Sequence, residues 1–214
     1  MVTCQISISL DGFVAGPNQS LKNPIGEGGM RLHEWVFATA GWRRQHGGEG
    51  GDDGADSEVV DEVVQGVGAY IMGRHMFGGG SGSWDTDWRG WWGDEPPYHA
   101  PVFVLTHHAR QPLRMSGGTT FTFVTDGIAS ALDQAQAAAG DRSVSIAGGA
   151  STIRQYLAAG GIDELYLHIV PVLLGSGERL LEGVGDPVLQ PVQVVASPSV
   201  THVKYRIVKR TPSA

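Results

Sequence analysis

The chain has a single cysteine, Cys4, in 214 residues. One thiol cannot form an intramolecular disulfide, a CxxC redox pair or a thiolate metal cluster, and its place among alternating apolar residues marks it as a buried structural thiol. No apolar run approaches the roughly 20 residues that a membrane-spanning helix needs. Basic residues are also scarce: 15 Lys and Arg against 22 Asp and Glu give a formal net charge of -7. A broad electrostatic footprint for nucleic acid or anionic lipid is therefore excluded, and any anion site must be local. The opening residues Met1-Val2-Thr3-Cys4-Gln5-Ile6 carry no basic stretch followed by an apolar segment and a cleavage site, which points to a soluble cytoplasmic protein. Among the histidines only His107 and His108 are adjacent, and no HExxH-like spacing occurs, so no metal site is expected.

What is present describes a folded chain. Hydrophobic residues make up 41% and charged residues 17%, enough apolar surface for one substantial core, and a single domain over residues 1–214 is expected. Val2, Cys4, Ile6, Ile8 and Leu10 alternate with Thr3, Gln5, Ser7 and Ser9, a strand with one apolar and one polar face that Asp11-Gly12 ends. Further strands are predicted over residues 69–72, 102–105, 121–124, 144–146 and, as one long segment, 165–174. Helical spacing links Val59, Val60, Val63, Val64 and Val67, then Ile128, Ala131, Leu132 and Ala135, and a third helix is predicted from Ala150 to Ala159. Strands alternating with helices imply a mostly parallel sheet covered on both faces. Residues 192–197 and 200–210 flank a turn with Pro198 and are predicted to pair as an antiparallel hairpin, giving a mixed sheet of about eight strands. Residues 41–56 and 78–97 read as long loops, the second carrying Trp84, Trp88, Trp91 and Trp92.

Three strand ends carry chemistry. In Val144-Ser145-Ile146-Ala147-Gly148-Gly149-Ala150-Ser151-Thr152 an apolar strand delivers two glycines to a helix start. Bare backbone N–H groups there suit a phosphate, although a structural tight turn explains the same residues equally well. Gly73-Arg74-His75 follows another strand, and an arginine so placed can pair with phosphate or stack on adenine. Thr106, His107, His108 and Arg110 gather past a third. A dinucleotide lying across the carboxyl edge of a parallel sheet requires such a convergence.

Ser9-Leu10-Asp11-Gly12-Phe13-Val14-Ala15-Gly16, Met72-Gly73-Arg74, Gly148-Gly149-Ala150 and Val170-Pro171-Val172-Leu173-Leu174-Gly175-Ser176-Gly177 together resemble the dihydrofolate-reductase-like superfamily, in the branch similar to the riboflavin-biosynthesis reductase domain. The resemblance implies an α/β three-layer fold, NADPH as cofactor, a small planar heterocycle such as a pterin, a pyrimidine or a flavin precursor as substrate, and a homodimer. By position it implies that Gly73, Arg74 and His75 hold pyrophosphate and 2′-phosphate with Thr106 and His107. Gly148, Gly149, Ala150, Ser151 and Thr152 would cradle the pyrophosphate, and Val14, Ala15 and Gly16 would border the nicotinamide. One departure stands out. The first helix, read as Arg31-Leu32-His33-Glu34-Trp35-Val36-Phe37, has Leu32 where folate reductases carry an acid. Asp11 and Glu34 remain the catalytic candidates, against a turn role for Asp11 and a solvated helix face for Glu34 and His33. The tryptophans either stack on a flat ring or anchor their loop. The alternative to a reductase is a non-catalytic nucleotide- or flavin-binding protein of the same fold.

Overall fold

A computed structural model describes residues 1–80 and 82–209. The strands are β1 (Val2–Ser9), β2 (Phe13–Ala15), β3 (Val67–Gly73), β4 (Pro101–Leu105), β5 (Leu113–Arg114), β6 (Thr120–Val124), β7 (Ser143–Gly148), β8 (Glu164–Val170), β9 (Glu178–Arg179), β10 (Val188–Ala196) and β11 (Thr201–Val208). The helices are α1 (Glu34–Ala38), α2 (Ala40–Gln45), α3 (Ala55–Val64), α4 (Arg74–Phe77), α5 (Gly127–Ala139) and α6 (Ala150–Ala158). Nine strands form one sheet in the order β10-β11-β8-β1-β7-β3-β4-β6-β5, and β2 pairs with β9 apart from it. The run from β8 through β1, β7, β3 and β4 to β6 is parallel, while β10, β11 and β5 join antiparallel. The sheet is thus mixed and mostly parallel as predicted. It has one strand more than expected because β5 has only two residues, too short to show a period of two, and the equally short β2 and β9 that pair apart from it were missed for the same reason.

Four boundaries differ from the sequence reading, each for a local reason. The segment read as strand to Leu174 stops at Val170, because Pro171 has no N–H to give the ladder. The helix read through Val67 stops at Val64, with Gln65 extended and Val67 already in β3. The first helix is broken at His33 into a 3-10 turn over Gly29–Leu32 and a short α1, which ends where Thr39 turns extended and its hydroxyl caps α2 by accepting from the Trp42 N–H at 3.2 Å. That cap starts a helix inside the region read as loop from residue 41. The C-terminal hairpin forms with a register shift between Pro191 and Gln193. Pro191 is tolerated because β10 lies at the edge, and Arg210, where the second run was expected to end, lies outside the described residues.

Both sheet faces are covered. Cys4 and Ile8 of β1, Ile71, Ile146, Leu165 and Leu167 pack against Ala131 and Ala135 of α5 and Ile153 and Leu157 of α6. Across the sheet, Leu32, Trp35, Val60, Val170 and Val200 form one cluster, and Met72, Phe77, Val102, Val104, Met115 and Phe121 form another. Trp84, Trp88 and Trp92 pack on the second, and the Trp88 indole N–H donates to the Phe77 carbonyl at 3.0 Å, so the long loop is anchored to the core.

The polar face of β1 is buried at Ser7 and Ser9 and half-buried at Thr3 and Gln5. Strand register sets Gln5 beside Tyr166 and Lys204, and Ser7 beside His168 and His202, one row above the other. Such rows survive under helices because their members bond one another. The Trp35 indole donates to Ser7 Oγ at 3.0 Å, and Ser9 Oγ to Asp11 Oδ1 at 2.6 Å.

Candidate active site at the carboxyl edge of the sheet

Parallel pairing brings the C-terminal ends of β1, β7, β3 and β4 side by side. It thereby assembles residues far apart in sequence along one edge: Asp11, Gly148 and Gly149, Gly73 and Arg74, and Thr106. At β7 the Gly148–Gly149 peptide bond is cis and Gly148 has φ +134°, a region closed to most L residues. Gly149 is the N-cap of α6, and no side chain caps that helix start. Its first N–H groups and dipole are therefore directed at the edge. Thr152 is buried and lies against Gly73, where a Cβ would overlap its Oγ1. The β3 and β7 crossings are thus fitted through a glycine. Ser151 is exposed.

Arg74 opens α4 and points into the tryptophan loop. Its Nε donates to the Gly80 carbonyl at 3.0 Å, and its guanidinium lies 3.7 Å from the Trp84 ring centre. Arg110 approaches the same indole at 5.1 Å and donates through Nη2 to the carbonyls of Thr86 at 3.0 Å and Trp88 at 2.6 Å. Both guanidiniums keep a buried Nη1 without a hydrogen-bond partner among the described residues. Burial lowers both pKa values, and for Arg110 the Arg89 and Arg74 charges add to the lowering while Asp85 opposes it. Two cations with orphaned donors are what an anion would satisfy. Thr106 is buried, its Oγ1 accepting from the His108 N–H at 3.1 Å, and the Trp84 indole donates to the His108 carbonyl at 2.7 Å. His75 and His107 are exposed. Arg110, two residues beyond His108, is among the donors that the sequence gathers past the third strand end, although the resemblance assigns it no role.

The catalytic candidates fare differently. Asp11 is committed to structure: its carboxylate accepts from Ser9 Oγ and from the N–H groups of Leu174 at 3.1 Å and Gly175 at 2.7 Å. These bonds, the Ser9 hydroxyl foremost, hold its pKa down to about 2 against the opposing effect of desolvation. A carboxylate so stabilised is ionised at neutral pH and has no proton to give. Glu34 is exposed at the start of α1, while Leu32 is fully buried. Val14, Ala15 and Gly16 are buried beside this edge, the first two in β2.

A second polar assembly lies between the sheet and α1. His168 Nδ1 meets His202 Nδ1 at 2.8 Å, His202 Nε2 meets Asp56 Oδ1 at 3.0 Å, and His168 Nε2 meets Gln5 Oε1 at 2.9 Å. Trp35 lies over both rings, at 5.0 and 4.9 Å between centres. Burial pushes the His168 pKa down to about 3, with a further lowering from His202, and burial also lowers His202 against the pull of Asp56. Both rings are therefore neutral at pH 7. The sequence offered a partial signal, the polar alternation of β1, but nothing that paired His168 with His202.

The profile of the RibD C-terminal domain matches residues 1–203. The chain belongs to the RibD C-terminal domain family. Its membership places it among oxidoreductases of the riboflavin-reductase type. A putative riboflavin biosynthesis protein from Shewanella sp. PV-4 superposes with a TM-score of 0.62 at 22% identity, over 97% of this chain and 99% of that one. A pyrimidine reductase-like protein from Corynebacterium diphtheriae gives 0.54 at 13% identity over 98% and 92%. Dihydrofolate reductase from Enterococcus faecalis, complexed with NADP(H), gives 0.52 at 12% identity over 98% and 97%. At these identities the superpositions establish the dihydrofolate-reductase-like fold. No curated protein matches the chain in sequence. No helix among the described residues is long and apolar enough to cross a membrane.

Proposed function

We propose that this RibD-like chain uses NADPH to reduce a small planar heterocycle, a pterin, a pyrimidine or a flavin precursor. The observation that carries the reading is the pair of buried, unpartnered Nη1 donors of Arg74 and Arg110 beside Thr106, on the edge where Gly148 and Gly149 open α6. The donor set fits a phosphorylated dinucleotide. Gly148, Gly149, Ala150, Ser151 and Thr152 would hold the pyrophosphate through backbone N–H groups and hydroxyls. Gly73, Arg74 and His75, with Thr106, His107 and now Arg110, would hold the 2′-phosphate, and Val14, Ala15 and Gly16 would border the nicotinamide. When bound, the cofactor supplies hydride, and the protein's share is alignment and exclusion of water. With Asp11 held ionised and Glu34 in solvent, neither carboxylate is assigned to proton delivery.

The test is titration of the purified protein with NADPH and NADH, following tryptophan fluorescence, with Arg74→Ala and Arg110→Ala alongside. NADPH binding at least tenfold tighter than NADH, reduced in both variants, supports the cofactor assignment and justifies screening pterin, pyrimidine and flavin acceptors. Equal affinities would remove the 2′-phosphate assignment, and no binding of either at millimolar concentration would remove the reductase reading. The exposed Glu34 and the buried Leu32 favour a second reading, a nucleotide-binding protein without turnover. Tight cofactor binding with no oxidation by any acceptor would select it.

A further inference from the structure

At the opposite, N-terminal edge of the parallel strands lies a cleft of about 210 Å³ between β1, β8, β11 and α3. A cavity of roughly 150 Å³ accommodates benzene, so this one has room for a substituted single ring. Its walls follow from register. On the polar sheet face, Thr3 stands beside Glu164 in one row, and Gln5 beside Tyr166 and Lys204 in the next, with Glu62 of α3 above them. Lys204 is paired with Glu62, and its ammonium lies 4.9 Å from the centre of the Tyr166 ring. Val63 and Val67 supply apolar wall.

Two observations separate this cleft from an ordinary surface groove. Tyr166 is only 3% exposed, yet its hydroxyl has no hydrogen-bond partner among the described residues. An orphaned phenol at that depth carries a desolvation cost that a bound acceptor would relieve. Gln5, another wall residue, is bonded through its amide to His168 and so to His202 and Asp56. A molecule that shifts the Gln5 amide therefore perturbs a buried chain reaching Trp35.

We infer that this cleft is a second small-molecule site, separate from the carboxyl edge, for a single-ring nitrogen heterocycle bearing an exocyclic amine. The ring nitrogen would accept from the Tyr166 hydroxyl, and the amine would donate to the carboxylate of Glu164, which lines the same cleft. The aromatic face of the ligand would lie against Val63 and Val67. Nothing in this inference depends on the reductase reading.

The probe is 2-aminopyrimidine, titrated to 20 mM into the uniformly ¹⁵N-labelled full chain and followed by heteronuclear NMR. Saturable shifts are expected at the backbone amides of Thr3, Gln5, Tyr166 and Lys204, at the Gln5 side-chain amide and at the His168 ring nitrogens. Tyr166→Phe removes only an unpartnered hydroxyl and should fold normally while weakening binding fivefold or more. Unsubstituted pyrimidine should bind more weakly still to the wild type than 2-aminopyrimidine does. Gln65→Trp, an exposed wall position, should occlude the mouth and abolish the shifts, whereas Arg74→Ala should leave them unchanged. No saturable shift, shifts confined to Gly73, Arg74 and Gly149, or equal binding by Tyr166→Phe would each overturn the inference.

Discussion

Gly73→Ala isolates a single steric term. Gly73 has φ -80° and ψ 158°, a conformation open to any residue, so the backbone gains from losing unfolded-state freedom by about 0.4–1 kcal/mol. Against that, the new Cβ would overlap Thr152 Oγ1. Thr152 is buried at 5% exposure on a helix packed against β7 and β3, and overpacking in such a position costs about 1–3 kcal/mol. The net loss should be about 1–2 kcal/mol. With a urea m-value of about 2–3 kcal/mol/M, the midpoint falls by roughly 0.5 M. In a Thr152→Ala background the hydroxyl is gone, and the nearest remaining atoms, the Cβ of residue 152 at 3.7 Å and the Gly149 nitrogen at 3.8 Å, stand at ordinary contact distance. There Gly73→Ala should be neutral or slightly stabilising. Urea unfolding of the four proteins of this cycle, followed by tryptophan fluorescence, gives the coupling directly, and a value of about 1–3 kcal/mol is expected for residues in contact. Additive effects, or an equal loss in both backgrounds, would refute the steric account.

Other perturbations follow from the same geometry. Cys4, 1% exposed and with its thiol pushed up to about 12 by burial, should resist a thiol reagent at pH 8 in the native protein and react promptly in denaturant; rapid native labelling would contradict its burial. Asp11 has its pKa below the ordinary 3.8, at about 2, so its contribution is present above about pH 4 and lost as pH falls toward 2; Asp11→Asn should lower the melting temperature at pH 6 and flatten the decline between pH 4 and 2. His168 and His202 are lowered below 6.5, so protonation of the unfolded chain should erode stability as pH falls from 6.5 toward 3, and ¹⁵N spectra at pH 6 should show both rings neutral. Phe121→Ala, at a fully buried position, should cost about 3–5 kcal/mol in chemical denaturation.

The sequence exposed the parallel core well because its signals are periodic. The alternation in residues 2–9, the helix from Ala150 and the glycines at 148 and 149 all reappear as elements at their expected places. Boundaries failed where one residue's chemistry overrode the period, at Pro171 and at the Thr39 cap. The gathering of Gly73, Arg74, Thr106 and Gly148 was legible because parallel strands in a βα alternation deliver their ends to one edge. The engagement of Arg74 with Trp84, the part played by Arg110 and the meeting of His168 with His202 were not, since each depends on loop path or on register between strands more than 30 residues apart. Asp11 illustrates a different limit: its residue type suits catalysis and turn formation equally, and only its three hydrogen bonds decide.

The hold of the tryptophan loop on Arg74 makes that loop a splint. The Gly80 carbonyl takes Nε and the indole of Trp84 lies against the guanidinium, while Nη1 has no hydrogen-bond partner among the described residues, so a phosphate would meet a guanidinium already oriented, with no need to displace the loop. The ordering cost of that long side chain is then met on folding instead of on binding. Replacing Trp84 should lower cofactor affinity together with stability.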